Sequence, residues 1–353
     1  MSSLNPQQWK RILIIRLSSI GDVVLTTPVI RVLHYRFPHL KIDYLIKNTF
    51  KDLIAYHPAI DNCYTIPGNL PLKGLLQLRE NIREDGKYDF ILDLHDNLRS
   101  RILTLGGKIP YTRYNKNRFF RWLYVYWKIS SPAIQTYITD KYFNALTQFD
   151  LRDDEQGLDL YFPGDFEYED ATVAEEAQRF QESRLPVTIA PGAAWKTKEW
   201  IPERFAGVAD RLIEDSDATI AFLGGPDEVT LMESIRRSMR NPEKVLNFTG
   251  RTTLLESAKI LESTQLHVAN DSGLTHIATA FKKKVVVILG STAKPLVFHP
   301  KYTTHAIVED PDLGCRPCTH MGRNRCPLGH FKCMNNIDEQ AVLEAINRVM
   351  TTV

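Results

Sequence analysis

Residues 11–22, RILIIRLSSIGD, hold an aliphatic run, a small-residue turn and an acidic residue at a helix start. The run 11–17 lacks polar–apolar alternation, as expected of a parallel strand buried on both faces. Residues 18–21 form the turn, and 22–36 carry helical periodicity that ends before Pro38. Strand, tight turn and helix in this order make half of a βαβ unit. The same order recurs along the chain. Residues 41–46 and 88–94 read as further strands, with a helix over 75–84 and a mainly helical stretch over 111–147, broken at Pro132. A polar, acidic stretch over roughly 150–185 reads as a linker and the first helix of a second domain. The alternation then restarts. Strands are expected at 187–190, 219–223, 244–247, 265–269 and 284–289. Helices are expected at 202–214, 227–239, 253–261, 273–282 and 338–350. Two βαβ series imply two Rossmann-like, doubly wound α/β domains facing across a cleft. They are placed at 1–160 and 161–353, with the last helix packing back toward the first domain.

A chain of 353 residues exceeds one ordinary core, which agrees with two domains. Hydrophobic residues at 43% and charged residues at 24% fit a soluble globular protein. No apolar run approaches a membrane span, and residues 1–10 lack a signal-peptide core, so the expected location is the cytoplasm. The net charge of +2 demands no nucleic-acid partner. Its distribution is uneven, however. Residues 97–139 contain no Asp or Glu but eight basic residues, a local field that favours an anionic partner.

In doubly wound sheets, ligands bind beyond the carboxyl ends of the strands. In the loop 18–22, Gly21 permits a tight turn, and Asp22 either caps the helix or serves as a general base for a sugar hydroxyl. In the loop 191–200, PGAAWKTKEW, Gly192 leaves room for a ligand. Lys196, Thr197 and Lys198 offer charge and a hydroxyl to a diphosphate leaving group, or simply face solvent. In the loop 270–276, NDSGLTH, a helix N-terminus follows a strand. There Asp271, Ser272, Gly273 and His276 either bind a ligand or cap and pack the helix. Asp227 and Glu228 follow another strand and are candidates for ribose hydroxyls or for a cap. No Gly-x-Gly-x-x-Gly follows the first strand and no Walker A sequence occurs, which argues against a dinucleotide dehydrogenase and a P-loop NTPase. The Asp-x-Asp triplets at Asp215/Asp217 and Asp310/Asp312 lie in no persuasive metal site, so catalysis without a metal is expected.

Residues 18–28 (SSIGDVVLTTP), 191–200 and 270–280 (NDSGLTHIATA) together resemble glycosyltransferase family 9, the heptosyltransferases of lipopolysaccharide core assembly, and among them heptosyltransferase II. The resemblance runs through nearly the whole chain. It implies a GT-B fold and inverting, metal-independent transfer of heptose from ADP-heptose to an anionic glycolipid acceptor. Asp22 matches the family's catalytic carboxylate and Lys198 its phosphate-binding lysine. Asp271 and His276 match the donor motif. Ala193 and Ala194 depart from members that carry hydroxyl residues after Pro-Gly, which leaves Thr197 as the substitute.

Acceptor contacts are expected from Ser19, Gly21, Arg113, Lys116, Arg118 and Arg121. Aromatic residues interleave with the last of these. The segment reads either as a membrane-interface element, giving peripheral contact with the inner membrane, or as a helix with aromatics in the core and basic residues in water. Cys315, Cys318, Cys326 and Cys333 form a Cys-x2-Cys-x7-Cys-x6-Cys pattern. It suits a structural zinc, with His320 and His330 as substitute ligands, or a set of unmetallated thiols. Two rival functions stay open: a nucleotide-sugar 2-epimerase, and a catalytically silent nucleotide- or carbohydrate-binding protein.

Overall fold

The computed structural model describes residues 5–84, 87–296 and 300–352. The chain divides into two compact α/β units. One comprises Met1–Lys116 with Thr136–Pro163, the other Asn117–Gln135 with Gly164–Val353.

The first unit opens with β1 (Arg11–Ile15), α1 (Ile20–Val24), α2 (Thr27–Arg36), β2 (Lys41–Lys47) and β3 (Asn62–Ile66). It continues through α3 (Leu72–Glu84), β4 (Phe90–Asp93), α4 (Leu98–Thr104) and β5 (Tyr111–Arg113). All pairings are parallel, in the order β3-β2-β1-β4-β5. Four of the five residues of β1 are buried, as its unbroken aliphatic sequence requires. Leu13, Ile15, Leu45 and Ile91 join Leu75, Ile82 and Leu103 from the helices in one core cluster. Each such side chain contributes about 1.5–3 kcal/mol through burial.

The helix expected over 22–36 is two helices. Pro28 lies in the first turn of α2, where its missing N–H costs nothing but its ring prevents a continuous helix from α1. The hydroxyls of Thr26 and Thr27 donate to the carbonyls of Val23 and Val24, and so satisfy carbonyls at the interruption.

The chain then forms α5 (Arg118–Trp127) and α6 (Pro132–Gln135), which group with the second unit, before α7 (Ile138–Asn144) rejoins the first. The second unit proper runs from α8 (Ala171–Gln181) through β6 (Pro186–Ala190), α9 (Pro202–Ser216), β7 (Thr219–Phe222), α10 (Val229–Ser238) and β8 (Val245–Asn247). It continues with α11 (Leu254–Ser263), β9 (Leu266–Asn270), α12 (Gly273–Ala280), β10 (Lys284–Ile288) and β11 (His305–Val308). It ends with α13 (Lys332–Asn335) and α14 (Glu339–Thr351). The sheet order is β11-β10-β9-β6-β7-β8, again wholly parallel. Val187, Ile189, Phe205, Phe222, Val268 and Ile288 centre its core. The last helix, α14, packs on β10, β11 and α9 of this same unit.

Both sheets reverse their strand order beside the strand that opens them. β1 lies between β2 and β4, and β6 lies between β9 and β7. These are the topological switch points, where a crevice opens beyond the strand ends. The loops 18–22, 191–200 and 270–276 all start there.

Candidate functional site

In the first unit, Arg16 ends the β1 run and is buried. Its Nε donates to the Ser18 carbonyl (2.7 Å) and its Nη1 to the Leu94 carbonyl. Its Nη2 pairs with Asp22 Oδ2 at 2.6 Å. Burial works against the Arg16 charge, but the Asp22 carboxylate and the surrounding tyrosines more than offset it and raise the pKa of Arg16. The Ser19 hydroxyl also donates to Asp22 Oδ2 (2.9 Å), and the Ser19 N–H lies 3.5 Å from the same oxygen in a capping-box arrangement at the start of α1. Asp22 is therefore a cap and an ion-pair partner at once. Its side chain still keeps 37% exposure, against 5% for Arg16. This geometry presents a carboxylate of fixed orientation to an incoming ligand.

His95, beyond the end of β4, is a residue that loop-by-loop reading of the sequence missed. It is buried, and its Nδ1 has no hydrogen-bond partner among the described residues. Burial first, then the charges of Arg16 and Lys116, push its pKa down to about 3, so it is neutral at pH 7. The available signal was its position at a strand's carboxyl end within YDFILDLHDN.

In the second unit, Lys198 Nζ meets Asp271 Oδ2 at 2.5 Å, with side-chain exposures of 13% and 12%. Two motifs 73 residues apart thus converge at one switch point. Asn270 holds them together: its Nδ2 donates to the Pro191 carbonyl and its Oδ1 accepts from the Trp200 N–H. Ser272 is the N-cap of α12 but makes no capping bond, and its Oγ is buried without a partner among the described residues. An orphaned hydroxyl and the first-turn N–H groups of α12, next to a lysine, suit a phosphate oxygen. His276 lies buried in α12.

Gly192 has a specific reason to lack a side chain. A Cβ there would stand 1.6 Å from Glu228 Oε1. Glu228 Oε2 accepts from the Gly225 N–H (2.8 Å), and burial, then nearby Glu199 and Asp227, raises the Glu228 pKa. Glu228 therefore reaches the 191–200 loop, whereas Asp227 is exposed.

Thr197 does not take the expected place of a phosphate ligand. It is buried, and its Oγ1 accepts from Ser291 Oγ (2.8 Å) and the Arg323 N–H (2.8 Å). It ties the loop to the 291 and 323 segments. A pocket of about 520 Å³ lies near this loop, lined by Lys196, Thr197, Glu199, Trp200, Arg325 and Phe331 among others. Lys198 and Asp271 are not in its walls, and its Lys196 is already paired with Glu199.

The four basic residues expected at the acceptor divide between the two units. Arg113 belongs to β5 and donates to Asp93 Oδ2 (2.7 Å) and Thr104 Oγ1 (2.6 Å), which makes it a structural brace. Lys116 closes that stretch of the first unit, whereas Arg118 and Arg121 lie on α5 and group with the second.

The expected zinc cage is not assembled. Among the described residues, no three His, Cys, Asp or Glu side chains are grouped to hold a metal. Cys315 Sγ is 3.9 Å from His330 Nε2, Cys318 Sγ turns to the Ser291 carbonyl, and Cys333 is buried in α13, where its pKa rises to about 11. All five cysteines are free.

A family model, glycosyltransferase family 9 (heptosyltransferase), matches residues 75–328. The chain belongs to glycosyltransferase family 9. This makes it an enzyme of glycosyl transfer, of the heptosyltransferase type. It is 26% identical to the lipooligosaccharide heptosyltransferase 2 of Haemophilus influenzae, over 96% of this chain and 99% of the relative. The structure resembles a family 9 glycosyltransferase from Veillonella parvula, with a TM-score of 0.77, 24% identity and 98% of each chain covered. It also resembles the Escherichia coli ADP-heptose lps heptosyltransferase II, with a TM-score of 0.71 and 20% identity over 96% of this chain and 98% of the other. The fold is GT-B, as the three motifs imply.

Proposed function

We propose that the chain transfers heptose from ADP-heptose to the inner-core sugar of an anionic lipopolysaccharide-type acceptor, with inversion and without a catalytic metal. The Lys198–Asp271 pair at the start of α12 carries this reading. A cation, helix N–H groups and an orphaned hydroxyl converge where a sugar diphosphate would place its negative charge. The names of the relatives supply the sugar: a lipooligosaccharide heptosyltransferase and an ADP-heptose enzyme.

In the reaction, an acceptor hydroxyl oxygen attacks the anomeric carbon of the donor. The bond from that carbon to the phosphate oxygen breaks, and ADP leaves with the bonding pair. The hydroxyl proton passes to the Asp22 carboxylate, which Arg16 and Ser19 hold in orientation. Lys198 and the α12 amides stabilise the departing diphosphate, so that no divalent ion is required for its charge. Glu228 is assigned to the donor's ribose hydroxyls, with Gly192 leaving its carboxylate room.

Calorimetric titration with ADP, UDP and GDP tests the donor. Preference for ADP that weakens in Lys198→Ala is the expected result. Preference for UDP or GDP would replace the heptose assignment with another sugar. Binding without turnover on any acceptor would favour a silent binder, and turnover without any acceptor would favour an epimerase.

A further inference from the structure

The helix α5 is amphipathic in the reverse sense. Val125 is its buried residue, and Tyr124 and Arg121 are half-buried on the same side. Phe119, Phe120, Trp122, Tyr126 and Trp127 are exposed, with Phe119 at 65% and Trp127 at 66%, and Ile129 continues the surface beyond the helix. At 100° per residue, the exposed aromatics span roughly 160° of the helix surface. Rings of this face also pack on one another: Phe119 contacts Phe120 and Trp122, and Trp122 contacts Tyr126. The expectation of aromatics in the core is therefore overturned, whereas Arg118 faces water as that alternative expected. An exposed aromatic face of this size marks an interaction surface.

Charge identifies the partner. The helix lies within the acid-free stretch 97–139. Its C-terminal end is fastened to a second acid-free stretch, 313–337, because Lys128 Nζ donates to the Pro317 carbonyl (2.6 Å) and approaches the Cys315 carbonyl (3.4 Å). His320 of that stretch lies close enough to Arg121 for its pKa to fall, burial being the larger cause. The fold thus joins two basic segments that are far apart in sequence. Arg118, Arg323 and Arg325 are exposed in them, as is the apolar Met321. Exposed Trp, Tyr and Phe beside Arg and Lys are the residues that enter the headgroup layer of a bilayer. Anionic lipid adds about 1 kcal/mol of attraction per basic residue near the surface.

We infer that α5 and the 313–337 segment form a docking surface for an anionic lipid bilayer. The helix lies flat on the bilayer, with Phe119, Trp122 and Trp127 at headgroup depth. Among the described residues, no helix is long and apolar enough to cross a membrane. The inference extends the proposed glycolipid acceptor by naming the surface through which a membrane-held substrate would be met. It stands on the exposed face itself, not on the transfer step.

The test is flotation of the full chain with vesicles of 3:1 phosphatidylcholine and phosphatidylglycerol, against vesicles of phosphatidylcholine alone. Binding at least 10-fold stronger to the anionic vesicles is expected, weakening as salt is raised to about 0.5 M. The variant Phe119→Ser/Trp122→Ser/Trp127→Ser changes only exposed side chains and should bind at least 10-fold more weakly, while transfer to a water-soluble, deacylated acceptor stays unchanged. Equal binding of the wild type to both vesicle types, or of both proteins to anionic vesicles, would overturn the inference. A concentration-dependent dimer that the triple variant abolishes, with no vesicle binding, would assign the face to a second copy instead. Vesicle binding with no transfer to any acceptor would leave the surface standing and overturn the proposed reaction.

Discussion

The two switch points hold the same elements and use them in opposite ways. Each pairs a carboxylate with a cation, at 2.6 Å for Arg16–Asp22 and 2.5 Å for Lys198–Asp271. In the first unit the cation is buried and the carboxylate reaches solvent. In the second the partners are buried about equally, and the lysine stands beside helix amides that favour negative charge. Strand order decides that a ligand binds at such a place. The pairs differ in burial: only the first has one member, Asp22, that reaches solvent. In the proposed reaction the first pair offers a proton acceptor, and the second offers a cation that an incoming diphosphate claims from Asp271.

The largest test of this contrast is Asp22→Asn. Turnover should fall by about 10³, roughly 4 kcal/mol at the transition state, while ADP affinity stays within about twofold. Normal turnover would remove Asp22 as the base and erase the functional difference between the pairs. Arg16→Met should come next. It leaves the Ser18 and Leu94 carbonyls and Asp22 without their buried donor, and should cost about 2–4 kcal/mol in urea unfolding. It should also raise the His95 pKa, read by NMR, because one of the cations holding it down is gone, while His267 in β9 stays where it is. An unmoved His95 would remove the Arg16 charge from the causes of its low pKa. Lys198→Ala should weaken ADP binding by about 10–100-fold, the worth of one charge-assisted bond, with a smaller loss for Lys198→Arg. Unchanged affinity would leave Lys198–Asp271 as a structural pair.

Acid stability is a separate test, because it acts on folding rather than on either ion pair. His95 and His267 each have folded pKa values lowered to about 3, His267 through burial. An unfolded histidine titrates near 6.5, so below that pH the unfolded chain takes up protons that the folded chain refuses. Their contribution should be constant above pH 6.5. As pH falls toward 3, each should cost about 1.4 kcal/mol per pH unit in chemical denaturation series. Stability that is flat across this window would contradict the burial of both imidazoles.

How legible these features were in the sequence depended on burial. Central strands such as β1 and β9 announce themselves because both faces are covered, which forces aliphatic runs such as RILII. The strands that sequence reading missed, β3, β5 and β11, all lie at sheet edges. β3 exposes most of its residues and β5 has only three, so neither needs an apolar signature. The site motifs were legible for the same topological reason, since each directly follows a buried strand. The roles of Thr197 and Arg113 were not, because a hydroxyl or guanidinium looks the same in sequence whether it meets a ligand or, as here, Ser291 and Asp93. The orientation of α5 was equally hidden. A periodic aromatic stripe shows that a helix has two faces, and only the carbonyls of Val125 and Pro317 receiving Lys128 show which face is fastened down.

That fastening also bears on how the molecule is made. Lys128 and Pro317 are 189 residues apart, and α5 leaves the ribosome long before the segment it rests on. At about 5–20 residues per second, the interval is on the order of 10–40 s. For that time the aromatic helix has emerged without its seat, and its chain continues into α7 of a unit to which it does not belong. Synthesis of the first unit therefore has to proceed around a tethered, sticky guest. A nascent chain stalled before residue 313 should bind trigger-type chaperones or membranes through α5 more avidly than the finished protein does.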